Sequence, residues 1–182
     1  MIVASFRVVL DANVLFPFTL RDSLLRASAA DLYQVCWSAQ ILEEVRRNLI
    51  KTDTTNEEQA ARLIAAMSSA FPEAAVEGYE ALIAAMPNDE GDRHVAAVAV
   101  QAGAQLIVTA NLRHFRDLPP GIDARGPDEF LCDLFDLAPE LLVSLVRAQA
   151  AALRRPPRSF DDVVRGLAKS VPEFAALIAS AA

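Results

Sequence analysis

The chain has 182 residues, 53% of them apolar and 23% charged, with only 6 Gly, 10 Pro and 2 Cys. That length suits one globular domain, or one with a modest appendage, and the composition excludes disorder, a collagen-like fibre and a disulfide scaffold. Twenty-four acids against 17 bases leave a formal charge of −7. Bulk charge therefore does not attract nucleic acid, and any such role must rest on a local, metal-assisted site.

Phe6 to Leu10 is a short, β-branched apolar run ending at Asp11, which predicts a buried strand. A helix follows over Asp22–Ala30, then a strand over Leu32–Trp37. Ser38 is an N-cap for a helix over Ala39–Ile50, where Ile41, Leu42, Val45 and Leu49 recur at helical spacing. Lys51–Asn56 is a polar break before a helix over Glu57–Ser69. Residues 71–86 admit a short strand (Ala74–Tyr79) and a helical turn (Leu82–Met86), and Pro87–Gly91 reads as a loop. Asp92–Ala102 predicts a helix closed by Gly103, followed by a strand over Gln105–Thr109 and an edge strand over Ile122–Arg125.

Beyond Gly126 the pattern is helical. Asp128 caps one helix, Pro139 begins another that runs to Leu153, and Arg154–Arg158 is a hinge. Ser159 and Asp162 open a third helix in the manner of a capping box, and a last one follows Pro172. Cys36 and Cys132 lie in apolar runs and read as reduced, buried thiols. Arg7 and Asp11 interrupt the first apolar run, so it does not resemble a secretory signal. The stretch His94–Leu112 carries no Asp, Glu, Lys or Arg, yet Gln101, Gly103 and Gln105 break it into helix, turn and strand. A spanning helix needs about 20 predominantly apolar residues, so a soluble, cytoplasmic chain is expected, with no membrane partner.

Strand–helix alternation through residue 125 implies a three-layer α/β/α arrangement around a central, mainly parallel sheet, with a C-terminal helical extension. Such sheets bind ligands beyond the carboxyl ends of their strands. Asp11 ends the first strand, and Thr109 and Asn111 end the strand over 105–109. Asp92 starts the preceding helix, and Glu44 lies off the apolar stripe of the helix over 39–50. Three carboxylates and an amide converge in this way, and like charges so close need a neutralising partner. A hard divalent cation supplies it; Mg²⁺ binds few carboxylates and retains water, which it can make nucleophilic. Each residue also has an ordinary use: a strand-ending turn for Asp11-Ala12-Asn13, a solvated face for Glu44, a helix cap for Asp92, a turn for Asn111. His94 and His114, lacking a Cys partner, are poor zinc ligands.

Val9-Leu10-Asp11-Ala12-Asn13-Val14-Leu15, Ser38 to Leu49 with Glu44, Asp92-Arg93-His94-Val95-Ala96-Ala97 and Ile107-Val108-Thr109-Ala110-Asn111 together resemble the PIN domain, over roughly residues 6–125. The resemblance implies a Mg²⁺- or Mn²⁺-dependent ribonuclease, and many bacterial members are VapC-like toxins of toxin–antitoxin pairs. It implies Asp11, Glu44 and Asp92 as metal-binding acids, with Glu44 preferred to Glu43 because Val45 and Leu49 follow it at the family's spacing. Asn111 joins them as a catalytic candidate. Asn13 and Thr109 orient ligands, while Arg93 and His114, with Arg46, Arg47, Arg113 and Arg116, are candidate phosphate contacts.

The pattern departs from the family where an acid usually follows the last strand: Asn111 and His114 stand there, with Asp117 further on. That departure keeps a second reading open, a catalytically weakened RNA- or protein-binding module. A phosphatase of the haloacid dehalogenase type needs a second Asp where this chain has Asn13. The expected organisation is a nuclease domain over 1–127 and a helical extension over 128–182. The extension's Leu141, Leu142, Leu145 and Val146 suggest a surface for a homodimer or a cognate antitoxin protein.

Overall fold

A computed structural model describes residues 6–52 and 55–182; the predicted break Lys51–Asn56 and the first apolar run thus lie partly outside the described residues. Four short strands, β1 (Arg7–Leu10), β2 (Gln34–Cys36), β3 (Leu106–Val108) and β4 (Asp123–Arg125), form one sheet in the order β2-β1-β3-β4. Every pairing is parallel, so the sheet is parallel throughout and not merely in the main. Val8, Val9, Leu10, Leu106, Ile107 and Val108 are all buried, as apolar runs in a covered parallel sheet must be. The α/β class expected from the alternation holds.

The helices are α1 (Ala12–Leu15), α2 (Phe18–Ala29), α3 (Ala39–Lys51), α4 (Glu57–Ala70), α5 (Arg93–Ala102), α6 (Pro127–Leu137), α7 (Pro139–Ala152), α8 (Phe160–Leu167) and α9 (Pro172–Ala181). Ser38 caps α3 as expected, its side chain accepting from the Ile41 N–H at 3.2 Å. Gly103, with φ 63°, is itself the left-handed C-cap of α5. Single-turn α1 was not legible, because four residues give no helical period. The Ala74–Tyr79 strand shrinks to one parallel bridge, Trp37 to Ala75, and the turn near Leu82 is a 3₁₀ segment over Glu80–Ala85.

Two compact units result. One comprises the chain up to Phe16 with Tyr33–Arg125; the other gathers Pro17–Leu32 with Gly126–Ala182. Helix α2, which the sequence reading groups with residues 1–127, therefore packs with the C-terminal helices. The reason is chemical: Gln149 of α7, fully buried, accepts from the Ser23 hydroxyl at 2.7 Å and donates to the Thr19 carbonyl at 3.0 Å. Within this helical unit Leu142 and Val146 are buried, whereas Leu141 stays exposed.

Asp128 does not cap its own helix. Pro127 and the Gly126 cap already start α6, and the Asp128 carboxylate accepts from the N–H groups of Glu173 and Phe174, at 3.0 and 2.8 Å, at the start of α9. Both cysteines are free; Cys36 is buried as expected, but Cys132 is only half-buried. Burial, then the acids Asp128, Glu173, Asp136 and Asp133, push the Cys132 thiol up to about 11. No helix among the described residues is long and apolar enough to cross a membrane.

Candidate metal-binding site

The site begins with strand register. Leu10 pairs with Val108 across β1 and β3, so the next residues, Asp11 and Thr109, leave the sheet side by side. The Asp11 N–H completes the ladder on the Val108 carbonyl at 3.1 Å, and Thr109 N–H continues it on Arg125 at 3.0 Å. Because β1 is flanked by β2 on one side and β3 on the other, this edge is the switch point at which parallel sheets hold ligands.

Asp11 is held on all sides while only 3% exposed. Its Oδ1 accepts from the Ala12 N–H at 2.7 Å, which caps α1, and its Oδ2 accepts from the Thr109 hydroxyl at 2.7 Å and the Asn13 amide at 2.8 Å. The Asn13 carbonyl oxygen accepts from Ala110 N–H at 2.9 Å, and Thr109 Oγ1 accepts from Asn111 N–H at 3.0 Å. Asn13 and Thr109, both expected to orient ligands, thus fix the Asp11 carboxylate. Burial is the main cause that raises the pKa of Asp11; the charges of Asp92 and Glu44 raise it further, against the Thr109 and Ala12 hydrogen bonds. The three predicted acids therefore feel one another's charge.

Glu43 and Glu44 have different environments. Glu43 is taken by Arg46, at 2.7 and 2.8 Å, and Arg46 also pairs with Glu57, which accounts for Arg46 as part of a solvated face. Glu44 instead lies with Oε1 3.1 Å from Nε2 of His94. The contact is within ion-pair reach but off the hydrogen-bond line, and neither ring nitrogen of His94 has a hydrogen-bond partner although the residue is only 4% exposed.

Asp92 ends a 3₁₀ turn over Glu90–Asp92, and its side chain makes no cap bond to α5. Its Oδ2 lies 2.7 Å from Nδ1 of His114, whose Nε2 accepts from Arg113 Nε at 3.1 Å. The loop and the turn after β3 are laced together, because Asp89 N–H donates to the His114 carbonyl at 3.2 Å. Ligand atoms of Asp89, Asp92 and His114 all lie within 4.8 Å of one another, and they are the group among the described residues that meets this spacing. Asp11, Glu44 and Asp92 share an electrostatic environment without forming so tight a trio.

Arg93 has its Nε tied to the Asn88 carbonyl at 3.2 Å. The side chain of Asn88 is 4% exposed with neither polar atom hydrogen-bonded. Buried polar groups are nearly always paired, so two orphaned side chains, His94 and Asn88, mark a site whose donor set suits a ligand such as a cation. Sequence reasoning missed Asp89 and Asn88, hidden in a loop read by composition alone, and set His94 aside as a poor zinc ligand. The only available signal was spacing: Asp89 stands three residues before Asp92, and His94 two after it.

A family profile described as "PIN domain" matches residues 7–113, and one described as "VapC50 C-terminal domain" matches residues 127–180. The chain is also similar to a protein of Mycobacterium tuberculosis named "Putative ribonuclease VapC50", 43% identical over 102 residues. That match takes in 54% of this chain and 60% of the relative, so it spans less than two thirds of the relative's length. No solved structure matches the chain. The first profile covers more than half of the chain and every strand-end residue of the site except Arg125, and the chain therefore belongs to the PIN domain family.

Proposed function

We propose that this chain is a Mg²⁺- or Mn²⁺-dependent endoribonuclease that hydrolyses RNA phosphodiesters, acting as the toxin of a type II toxin–antitoxin pair with a cognate antitoxin protein as partner. The observation that carries the reading is Asp11, a buried carboxylate at the central strand's end whose pKa is raised by burial and by two further acids, Asp92 and Glu44. Such an arrangement costs stability unless a cation repays it. The name of the relative, which includes the word ribonuclease, supports the same class.

Asp11, Glu44 and Asp92 hold the cation, with Asn111 beside them. When bound, the cation neutralises the carboxylates, lowers the pKa of water and offsets charge on phosphorus in the transition state. Asn13 and Thr109 keep Asp11 in one rotamer by their hydrogen bonds. Groups that orient metal ligands in this way cost on the order of 10–100-fold in affinity or activity when removed. Arg93, anchored through Nε, presents its remaining N–H groups to a phosphate. Arg113 does likewise when it releases His114.

The test is cleavage of RNA by the full chain with Mn²⁺ or Mg²⁺. Asp11→Asn and Asp92→Asn are expected to lower the rate on the order of 10²-fold or more; full activity in either sinks the reading. One observation favours a second reading. Neutral Asn111 and His114 stand where the family usually has an acid, as in a binding module that has lost turnover. That version is recognised by RNA binding that ignores both metal and Asp11→Asn.

A further inference from the structure

We infer that the cation seat is a mixed imidazole–carboxylate centre built from Asp89, Asp92 and His114, and that it prefers a first-row transition dication such as Mn²⁺ to Mg²⁺. The inference deepens the nuclease reading and rests on it only in placing the ion at the same rim.

The donors are brought together by the backbone. Asp92 N–H bonds the Asp89 carbonyl at 3.0 Å, Asp89 N–H bonds the His114 carbonyl at 3.2 Å, and His114 N–H bonds the Asn111 carbonyl at 2.9 Å. Loop and turn thus form one braced unit, and their ligand atoms fall within 4.8 Å. Ligands on opposite sides of an ion with bonds of about 2.1 Å lie about 4.2 Å apart, so little closure is required. Nδ1 of His114 is engaged by the Asp92 carboxylate at 2.7 Å. A carboxylate on one imidazole nitrogen fixes the ring and makes the other nitrogen a better ligand, the pairing that accompanies most metal-bound histidines. Nε2 is occupied by Arg113 Nε, on an exposed side chain whose contact is cheap to exchange.

A second observation is independent of that cluster. His94 is 4% exposed, has no hydrogen bond at either nitrogen, and aims Nε2 at Glu44 Oε1 from 3.1 Å, off the hydrogen-bond line. Two donors of one ion at right angles, with bonds of about 2.1 Å, also sit about 3 Å apart with their lone pairs converging. A buried imidazole facing the carboxylate rim without a partner is what remains when a nitrogen-tolerant cation is subtracted. Neutral imidazole in place of an acid also removes a negative charge, which weakens Mg²⁺ more than Mn²⁺, because Mg²⁺ demands oxygen donors and dehydrates reluctantly.

The experiment uses the metal-free full chain without RNA. Mn²⁺ affinity is read from the loss of the free ion's electron paramagnetic resonance signal, Mg²⁺ affinity from competition, and directly bound nitrogen from ¹⁴N modulation in the pulsed spectrum. The wild type is expected to bind Mn²⁺ at least about tenfold more tightly than Mg²⁺, with a nitrogen coupling that His114→Ala removes while lowering Mn²⁺ affinity about tenfold or more. His94→Ala is expected to keep the coupling. Should His114→Ala fail to fold by circular dichroism, His114→Asp provides an all-oxygen seat, expected to lose the coupling and to narrow the preference for Mn²⁺. Bound Mn²⁺ without nitrogen coupling, coupling that survives His114→Ala or His114→Asp, or coupling lost in His94→Ala overturns the assignment. Nitrogen coupling without RNA cleavage sinks the nuclease reading and leaves the seat; cleavage with an all-oxygen ion does the reverse.

Discussion

The sheet unit and the helical unit use buried polar side chains for opposite ends. In the helical unit they close their own circuits: Gln149 links Ser23 to the Thr19 carbonyl, and Asp128 saturates two N–H groups at the start of α9. In the sheet unit Asp11 is over-provided with donors yet crowded by like charges, while His94 and Asn88 have no hydrogen-bond partner. Polar groups that finish a fold satisfy one another; those left with spare valence at a strand-end edge await something from solution. Substitutions that separate stability from ligand binding test that contrast.

The largest separation is expected at Thr109. Thr109→Val keeps the volume but deletes the hydroxyl that donates to Asp11 at 2.7 Å and accepts from Asn111 N–H at 3.0 Å. Cation affinity and cleavage should fall on the order of 10–100-fold, measured by Mn²⁺ titration and single-turnover kinetics. Gln149→Leu strikes the other unit, leaving the Ser23 hydroxyl and the Thr19 carbonyl without the partner they share. It should cost about 1–3 kcal/mol in urea unfolding. Asp128→Ala removes the cap on α9 and should cost about 1 kcal/mol, with cation affinity unchanged. If either helical-unit variant lowers cation affinity as much as Thr109→Val does, the contrast fails.

How much was readable follows from which signals are local. β-branched runs ending in Asp11 and Thr109 identified two strands and the edge where chemistry gathers, because strand period and strand ends are properties of a few adjacent residues. The choice of Glu44 over Glu43 held to the extent that Glu43 is spent on Arg46 while Glu44 faces His94. Asp89, Asn88 and His94 escaped because their partners come from other elements: the carbonyl that braces Asp89 belongs to His114, far along the chain. For the same reason α2 was grouped with the wrong neighbours. Its stripe of Leu20 and Leu24 announces burial but not against what, and the Ser23–Gln149 bond spans residues that no window joins. Asp128, too, sits where its own helix begins, yet it serves another.

The smallest expected effect is a slope with pH. In the unfolded chain Asp11 titrates as an ordinary carboxyl, near 3.8; folding raises that pKa, chiefly through burial and then through the charges of Asp92 and Glu44. The folded state therefore holds the Asp11 proton more tightly. The stabilisation this lends is complete below the unfolded pKa and is lost as pH rises through the folded one. With the cation removed by EDTA, unfolding free energy should accordingly include a component that falls with rising pH, bounded at about 1.4 kcal/mol per pH unit because one carboxyl takes part. Asp11→Asn should flatten it, and saturating Mn²⁺ should reverse it in the wild type, since a cation binds the ionised form. Urea titrations at several pH values, with and without Mn²⁺, make the measurement. The same slope in wild type and Asp11→Asn would mean that the crowding at the strand edge costs the fold nothing, and the contrast between the two units would then rest on the orphaned His94 and Asn88 alone.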